Sequence, residues 1–563
     1  MKLKPYIAMY EGHDVSISIW DPNTNEFVVY ELERITQDKH YMVSQGVGVT
    51  TEGNYVHKRS KKKEDINFYI SFALANLKKD FGIENDFQIF HIMPTHPQNP
   101  QDPLTWDYSI INAPVYHISR ANHHEAHSWS SYMQAPFKNS AIISWDAGGD
   151  NTLFMYSEIN EQGYMTKRFE YPVLRYSFMW QLYGVHMESI RHTVNALDYA
   201  GKMMGLAAYG LPFEEKARSL VPEILSMMER MEDKDVSREK VHLWLKENFN
   251  QQHILHGDDE KTLAYAIQLA TEEGLIQFIR NELIDMIHLC DNNLIITGGT
   301  AMNILVNERV KKEFPELNVF VPCNPGDDNI SCGLMSREMW FLQDKLRHNM
   351  INGTFDFKYA GPYLFDHNNL MEYVIERNAR ETTLTEVAEL LRNGKIIGFL
   401  NGRSEVGPRA LGNRSILCDP TIPDMKNKLN QRVKFREWFR PFAPVCRLVD
   451  ADKYFDSRDY DFMDAMQFAV DVKPEWQSTL TEITHADGTA RLQTVTEESN
   501  PVFYELLNEF DGVLLNTSFN IQGKPILNSI RDALEILDTT QLDHVVVVNK
   551  DDNKPYIFSK GLL

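Results

Sequence analysis

The sequence predicts an α/β protein built as two domains, and three observations lead there. Apolar, strand-like runs alternate with helix-periodic segments through the first half. The alternation breaks near residues 351–363 (INGTFDFKYAGPY), where Gly, Pro and Asn accumulate, and then restarts. A chain of 563 residues also exceeds what one hydrophobic core organises.

The elements follow in order. Residues 6–21 (YIAMYEGHDVSISIWD) read as a strand, a glycine turn and a second strand, and PNTNE makes a hairpin turn into FVVYELE. AIISWDAGG and NLIITGGTAMNILVN are buried strands running into Gly-rich turns, the second continuing as a helix. Residues 212–290 are charge-rich with helical period, which predicts a helical layer over the sheet. After the break, TEVAELLRNGK predicts a helix and IIGFLN a strand, so the expected domains are residues 1–355 and 356–563.

Composition narrows the class. No apolar run reaches the length of a membrane span, and MKLKPYIAMYEGHD turns polar too early for a secretory signal, so a cytoplasmic protein with no membrane partner is expected. Cys290, Cys323, Cys332, Cys418 and Cys446 never form C-x-x-C, which fits reduced thiols and excludes a thiol zinc ribbon. A formal charge of -22 argues against a broad grip on phosphate backbones. The basic run at residues 57–63 is the exception; it reads as a solvated loop or as a local contact to a polyanion.

NHHEAHSWSSYM can be helical, and His123 and His127 would then share a face and grip one divalent ion. The peptidase pattern H-E-x-x-H is not met, because Ser128 stands where its second histidine would be. Asp146 follows at the end of a strand and Asp327 lies at a later turn (PCNPGDDNISCG). Two imidazoles and two carboxylates suit Fe(II), Mn(II) or Zn(II); the competing reading is a hydrogen-bonded histidine pair in the core. The turns at Gly148-Gly149 and Gly298-Gly299, the latter leading to Asn303, let backbone N–H groups approach phosphate. Lys202, in AGKMMGLAAYG, adds a cation beside a glycine, or marks a helix end.

The densest signal is GRSEVGPRALGNRSILCDP followed by LNQRVKFREWFRPFAPV, which holds Arg403, Arg409, Arg414, Arg432, Lys434, Arg436 and Arg440. Guanidinium forks and a lysine among Phe435, Trp438, Phe439 and Phe442 predict a pocket for a polyanionic small molecule rather than surface ion pairs. THADGTARLQTV and NTSFNIQGKPI add His485, Arg491 and Lys524 on polar loops.

Taken together and in order, GHDVS, ELERITQDKH, HHEAH, AGKMMGLAAYG, GGTAMN, GDDN, EVGPRALGNRSIL, VKFREWFRPFAPV, TARLQTV and NTSFN form a specific set. By them the chain resembles, nearly end to end, the O-carbamoyltransferases of the nodulation-protein-U, cephalosporin and tobramycin type. The resemblance implies an N-terminal actin/Hsp70-like (Kae1-like) two-lobed domain for carbamoyl transfer, followed by a YrdC/Sua5-like α/β domain that forms carbamoyl-adenylate. It implies ATP with Mg2+, carbamoyl phosphate as co-substrate, and an iron-type metal on His123, His127, Asp146 and Asp327. The adenylate would rest on Gly148, Gly149, Gly298 and Gly299, near Asn303 and Lys202. His13 matches the histidine beside the transfer site and is the expected general base; Arg409, Lys434, Arg440 and Arg491 match cations of the activating site. The two activities are expected in separate pockets.

The acceptor is a hydroxyl: the hydroxymethyl group of 5-hydroxymethylcytosine in DNA or a nucleotide, or a sugar or antibiotic-like molecule. The resemblance leaves room for a homodimer. Thr300 stands where aliphatic residues are frequent, and residues 42–65 are idiosyncratic and are expected to shape the acceptor entrance. A hydrogenase-maturation carbamoyltransferase would need C-x-x-C fingers that this sequence lacks, and a tRNA-threonylcarbamoyl fusion sits poorly with the negative charge. A non-catalytic nucleotide-binding module ranks last, since it needs no metal quartet.

Overall fold

A computed structural model of the chain describes residues 3–12, 14–41, 46–49, 55–58, 63–93, 108–118, 122–149, 152–171, 180, 182–193, 196–229, 238–250, 252, 254–342, 356–457 and 462–560. Strands β1 (Tyr6–Tyr10), β2 (Ser16–Asp21) and β3 (Glu26–Glu31) form an antiparallel meander. Its second turn closes because Asp21 accepts from the Asn23 N–H at 2.9 Å and Asn25 takes a left-handed φ of 58°. A separate ribbon, β4 (Gly46–Val49) with β5 (Tyr55–Lys58), precedes β6 (Phe90–Met93) and β7 (Tyr116–Ile118). The last two extend β1 in parallel, giving the order β3-β2-β1-β6-β7.

The pattern then repeats. Strands β8 (Ser140–Gly149), β9 (Thr152–Ile159) and β10 (Met165–Tyr171) form a second meander, and β11 (Asn293–Thr297) and β12 (Asn318–Phe320) extend β8 in parallel. The order β10-β9-β8-β11-β12 repeats that of the first sheet. Two sheets of one topology agree with the two-lobed expectation for this half.

Both faces of these sheets are covered, so β1 is apolar and buried throughout. Ile7 and Met9 pack with Ile66, Ile70 and Leu77 of the helix Lys63–Phe81. The alternate residues Tyr6, Ala8 and Tyr10 face Ala126 and Trp129 of the helix His123–Gln134 and Ile330 and Leu334 of the helix Ile330–Leu342. Ile142 and Ile295 of the second sheet join the same cluster, so these two helices lie between the sheets. They cross at backbone contact: a Cβ on Gly333 would come 1.9 Å from the Ala126 carbonyl oxygen. That crossing draws the turn before Ile330 onto the start of the histidine-bearing helix.

The third sheet has eight strands: β13 (Arg380–Glu381), β14 (Ile397–Leu400), β15 (Arg414–Cys418), β16 (Ala443–Arg447), β19 (Gln493–Val495), β20 (Leu514–Ser518), β21 (His544–Val548) and β22 (Pro555–Ser559). A short ribbon, β17 (Val470–Asp471) with β18 (Thr489–Ala490), stands beside it. Helices Leu384–Arg392 and Pro501–Phe510 pack on one face through Val387, Leu391, Phe503 and Leu507. The helix and strand expected from TEVAELLRNGKIIGFLN are there. No helix among the described residues is long and apolar enough to cross a membrane.

Candidate active site

The helix His123–Gln134 begins where it does because Asn122 and Glu125 form a capping box: the Asn122 side chain accepts from the His124 N–H at 2.8 Å, and Glu125 accepts from the Asn122 N–H. The first turn therefore carries His123, and His127 lies one turn on. Their Nε2 atoms are 3.1 Å apart. His123 Nε2 lies 3.3 Å from Asp327 Oδ1, and His127 Nε2 lies 3.4 Å from Asp146 Oδ2 and 3.6 Å from Asp327 Oδ1. All four side chains are buried and their ligating atoms lie within 4.8 Å of one another.

These spacings fit one ion. With bonds of about 2.1 Å, neighbouring ligand atoms around a metal lie roughly 3.0–3.4 Å apart. The surrounding bonds orient the donors: His127 Nδ1 is 2.8 Å from Asn329 Oδ1, which fixes the ring proton there and turns the Nε2 lone pair inward. The Tyr10 hydroxyl donates to Asp327 Oδ2 at 2.8 Å, and the Gly299 N–H donates to Asp146 Oδ2 at 2.5 Å. Burial pushes the His127 pKa down, but the bonds to Asp146 and Asp327 outweigh it and hold it at about 9. Burial works upward on Asp146, yet His127 carries it below the usual carboxylate value. The group calls for positive charge at its centre.

Gly298 explains the approach of Gly299. Its φ is +87°, and a Cβ there would meet the Trp145 carbonyl oxygen at 2.3 Å. Only glycine lets the turn after β11 pass over β8.

A cavity of about 410 Å³ opens from this group, lined by Asp146, Asp327, Gly299 and Asn303 on one side and by Arg409, Arg436, Arg440 and Arg491 on the other. Separate pockets were expected; Asp146 and Asp327 of the first set and Arg409, Arg440 and Arg491 of the second line a single cavity, while His123 and His127 are not among its lining residues. Among the described residues Arg409, Arg436 and Arg491 have no ion-pair partner, and the buried Nε atoms of Arg409 and Arg491 have no hydrogen-bond partner. Burial and then the Arg440 charge lower the Arg409 pKa to about 10. Burial, Arg409, Arg436 and Arg440 push Arg491 well below the ordinary arginine value. Guanidinium groups that repel one another around an open volume could hold an anion between them.

A third wall is acidic: Asp14, Glu31, Glu33, Asp198 and Asp328 line the same cavity, with Lys39 and His40 among them. Burial raises Glu31 to about 7 against the pull of Arg34, and raises Asp328 well above the usual range. His40 Nδ1 is 2.7 Å from Asp14 Oδ1, and Asp14, Glu33 and His40 cluster tightly enough to hold a cation. This wall, Tyr10 and Asn329 had no assigned role from sequence, although the GHDVS, ELERITQDKH and GDDN motifs contain Asp14, Glu31, Glu33, Lys39, His40, Asp328 and Asn329.

Several sequence expectations resolve differently. Lys202 does not line the cavity: its ammonium donates to Thr193 at 2.8 Å and pairs with Glu437. Lys434 lies behind the wall, 3% exposed, donating to the Ser518 carbonyl oxygen at 2.5 Å and to Asn520, both of which belong to residues that do line it. Arg403 leaves the predicted anion cluster to bind Glu26 and the carbonyl oxygens of Phe27, Ala360 and Gly361. Arg414 is fully buried against the carbonyls of Asn401, Gly402 and Asn413, and Arg432 bonds Gln541. A carbonyl-rich surrounding takes a guanidinium as readily as an anion does, and residue type alone does not separate the two. Asn303 lines the cavity while capping the helix Ile304–Glu313 through the N–H groups of Leu305 and Val306. Gly148 and Gly149 end β8. His13 and the basic residues 59–62 lie outside the described residues.

Comparison with known proteins adds an independent finding. A family model described as "Carbamoyltransferase N-terminus" matches residues 106–334, and one described as "Carbamoyltransferase C-terminus" matches residues 388–551. Nodulation protein NolO of Bradyrhizobium diazoefficiens is 31% identical over 76% of this chain and 77% of its own length. Nodulation protein NolNO of Sinorhizobium fredii is also 31% identical, and there the match spans 63% of the relative's length. Nodulation protein U of Rhizobium fredii is 35% identical over 43% of this chain and 40% of its own. Among solved structures, full-length HypF in its phosphate- and nucleotide-bound form aligns over 60% of this chain and 56% of its own at 10% identity, with a TM-score of 0.31. That likeness is too distant to bear on the site.

Proposed function

The chain belongs to the carbamoyltransferase family, and on that premise we propose that it is an ATP-dependent O-carbamoyltransferase whose residues 356–563, a YrdC-like unit, form carbamoyl-adenylate and whose residues 1–355 pass the carbamoyl group to an acceptor hydroxyl. The observation that carries this reading is the shared cavity, where Arg409 and Arg491, without an ion-pair partner among the described residues, share a lining with Asp146 and Asp327 of the buried His/Asp quartet. Carbamoyl phosphate and ATP are polyanions, and their phosphoryl charge needs fixed donors such as Arg409, Arg436, Arg440 and Arg491.

Atoms balance as follows. Water takes the phosphoryl group of carbamoyl phosphate, releasing phosphate and carbamate. A carbamate oxygen attacks the α-phosphorus of ATP, and pyrophosphate leaves with the electron pair of the broken P–O bond. The acceptor oxygen then attacks the carbamoyl carbon, and the C–O bond to AMP breaks. The adenylate would lie along the Gly298-Gly299 turn, with Met204, Tyr209 and Leu305 as the apolar strip for its base. His123, His127, Asp146 and Asp327 would hold a divalent metal of the iron type, which when bound supplies Lewis-acid charge beside the reacting acyl phosphate. His13, next to the cavity-lining Asp14, is the residue proposed to take the acceptor proton.

The acidic wall favours an uncharged or cationic acceptor, a sugar-like or antibiotic-like polyol, over the hydroxymethylpyrimidine of polyanionic DNA. Incubation with ATP, carbamoyl phosphate, Fe2+ and a panel of hydroxyl acceptors tests the reading by the mass gain of one carbamoyl group and by pyrophosphate release. Carbamoylation without ATP consumption would end it, and transfer to hydroxymethylated DNA but to no small polyol would reverse the choice of acceptor.

A further inference from the structure

We propose that Glu31 and Arg34, in the N-terminal half of the chain, are positioning residues for the anion site, acting through the Gly407 peptide that leads into Arg409. Strand β3 ends at Glu31, and the short helix Leu32–Thr36 places Arg34 three residues on, so the two side chains form an ion pair. Each also takes one polar group of Gly407. Glu31 Oε1 accepts from the Gly407 N–H at 2.7 Å, and Arg34 Nη2 donates to the Gly407 carbonyl oxygen at 2.8 Å. Glu31 is 8% exposed and Arg34 is 4% exposed, so water does not compete for these bonds.

Gly407 is held from the other side as well. Its φ is +97°, and an added Cβ would lie 2.9 Å from both Asn324 Cβ and the Cys323 carbonyl oxygen. Those residues begin the turn that carries Asp327. One backbone position thus touches the Glu31–Arg34 pair and the metal-bearing turn. Pro408 follows with a fixed φ, which passes the orientation of residue 407 directly to Arg409. Arg409 has no ion-pair partner among the described residues, so the loop geometry places its guanidinium at the cavity wall. Arg409 is thereby aimed by residues in the other half of the chain.

This inference rests on the anion site, and its test separates it from the proposed reaction. Inorganic pyrophosphate binding is measured by calorimetry for the wild type, Glu31→Gln, Arg34→Lys and the double variant, beside carbamoyl-phosphate-dependent ATP–pyrophosphate exchange and melting temperature. Each single change loses a charge-assisted buried bond and should weaken pyrophosphate binding about tenfold, with a similar rise in KM for carbamoyl phosphate; for Arg34→Lys, at a position that does not line the cavity, kcat should change less than about threefold. The double variant should be no worse than the worse single, because the pair acts as one clamp. If Arg34→Lys does not fold, Glu31→Asp, which keeps the charge and shortens the reach, carries the same measurement. Pyrophosphate affinity within about twofold of wild type in the folded variants overturns the proposal. Exchange absent from the wild type, with pyrophosphate binding still lost in the variants, would remove the proposed reaction and leave the clamp standing.

Discussion

The Nε2 atoms of His123 and His127 face each other at 3.1 Å, with Asp327 Oδ1 within 3.6 Å of both. Two ring nitrogens cannot approach lone pair to lone pair without a positive charge between them. A proton can fill that role: the bonds to Asp146 and Asp327 raise the His127 pKa to about 9 against the pull of burial. A divalent cation would replace it, since the neighbouring carboxylates already neutralise the site.

Asn329 orients His127 by accepting at Nδ1, 2.8 Å away. Asn329→Ala should leave all four ligands in place yet lower metal affinity roughly 10–100-fold, because the ring loses the bond that fixes its tautomer. Anaerobic calorimetry with Fe2+, or Mn2+ as a stable substitute, checks this. Equal affinities would show that Asn329 has no part in preparing a metal site.

Arg491 is surrounded by Arg409, Arg436 and Arg440 and has no counter-ion among the described residues. Arg491→Met should therefore abolish ATP–pyrophosphate exchange while raising the melting temperature by roughly 1–3 °C. Function and stability move in opposite directions only if the cluster awaits an anion. A variant less stable than wild type would mean that Arg491 is held by its surroundings.

Much of the fold was legible because its signals are local. β1, β8 and β11 are continuous apolar runs ending in Gly turns, and the capping box at Asn122 sets the start of the histidine helix. The quartet was legible for the same reason: His123 and His127 share a helix, Asp146 lies near the end of β8, and Asp327 sits at a turn. Roles decided by distant packing were not. Arg403 and Arg409 are six residues apart and equally basic, yet the first braces Glu26 across the molecule and the second faces the cavity. Lys202 finds its partner 235 residues away in Glu437. The acidic wall was missed because Asp14, Glu33 and Asp198 meet only once the two halves of the first 200 residues fold together.

His40 gives a pH signature on that wall. Burial alone would lower its pKa, but Asp14 at 2.7 Å and Asp198 raise it to about 9, above the unfolded value near 6.5. The protonated ring then stabilises the fold fully below about pH 6.5, and that contribution is lost as pH rises through about 9. Urea unfolding of wild type and His40→Gln should differ most near pH 6 and converge by about pH 10. A gap that stays constant with pH would mean that the His40–Asp14 contact carries no charge.

Lys434 is the opposite case, a buried lysine without a carboxylate partner among the described residues. Its ammonium donates to the Ser518 carbonyl and to Asn520, while burial and the charges of Arg436, Arg440 and Lys39 push its pKa well below the ordinary lysine value. A depressed folded pKa means that the unfolded chain binds the proton more tightly. The penalty is full below the folded pKa and disappears as pH rises toward the unfolded value near 10.4. Lys434→Met removes the titration together with the ammonium's bonds to the Ser518 carbonyl, which keeps the Asn520 N–H, and to the Asn520 side chain, at a cost of about 1–3 kcal/mol. Wild type should therefore outstrip Lys434→Met by more at pH 10 than at pH 7. Because Ser518 and Asn520 line the cavity and Lys434 does not, the variant should raise KM for carbamoyl phosphate, and added alkylamines should not rescue it. Rescue by methylamine would mean that the ammonium reaches substrate, and that the wall in front of Lys434 opens during turnover.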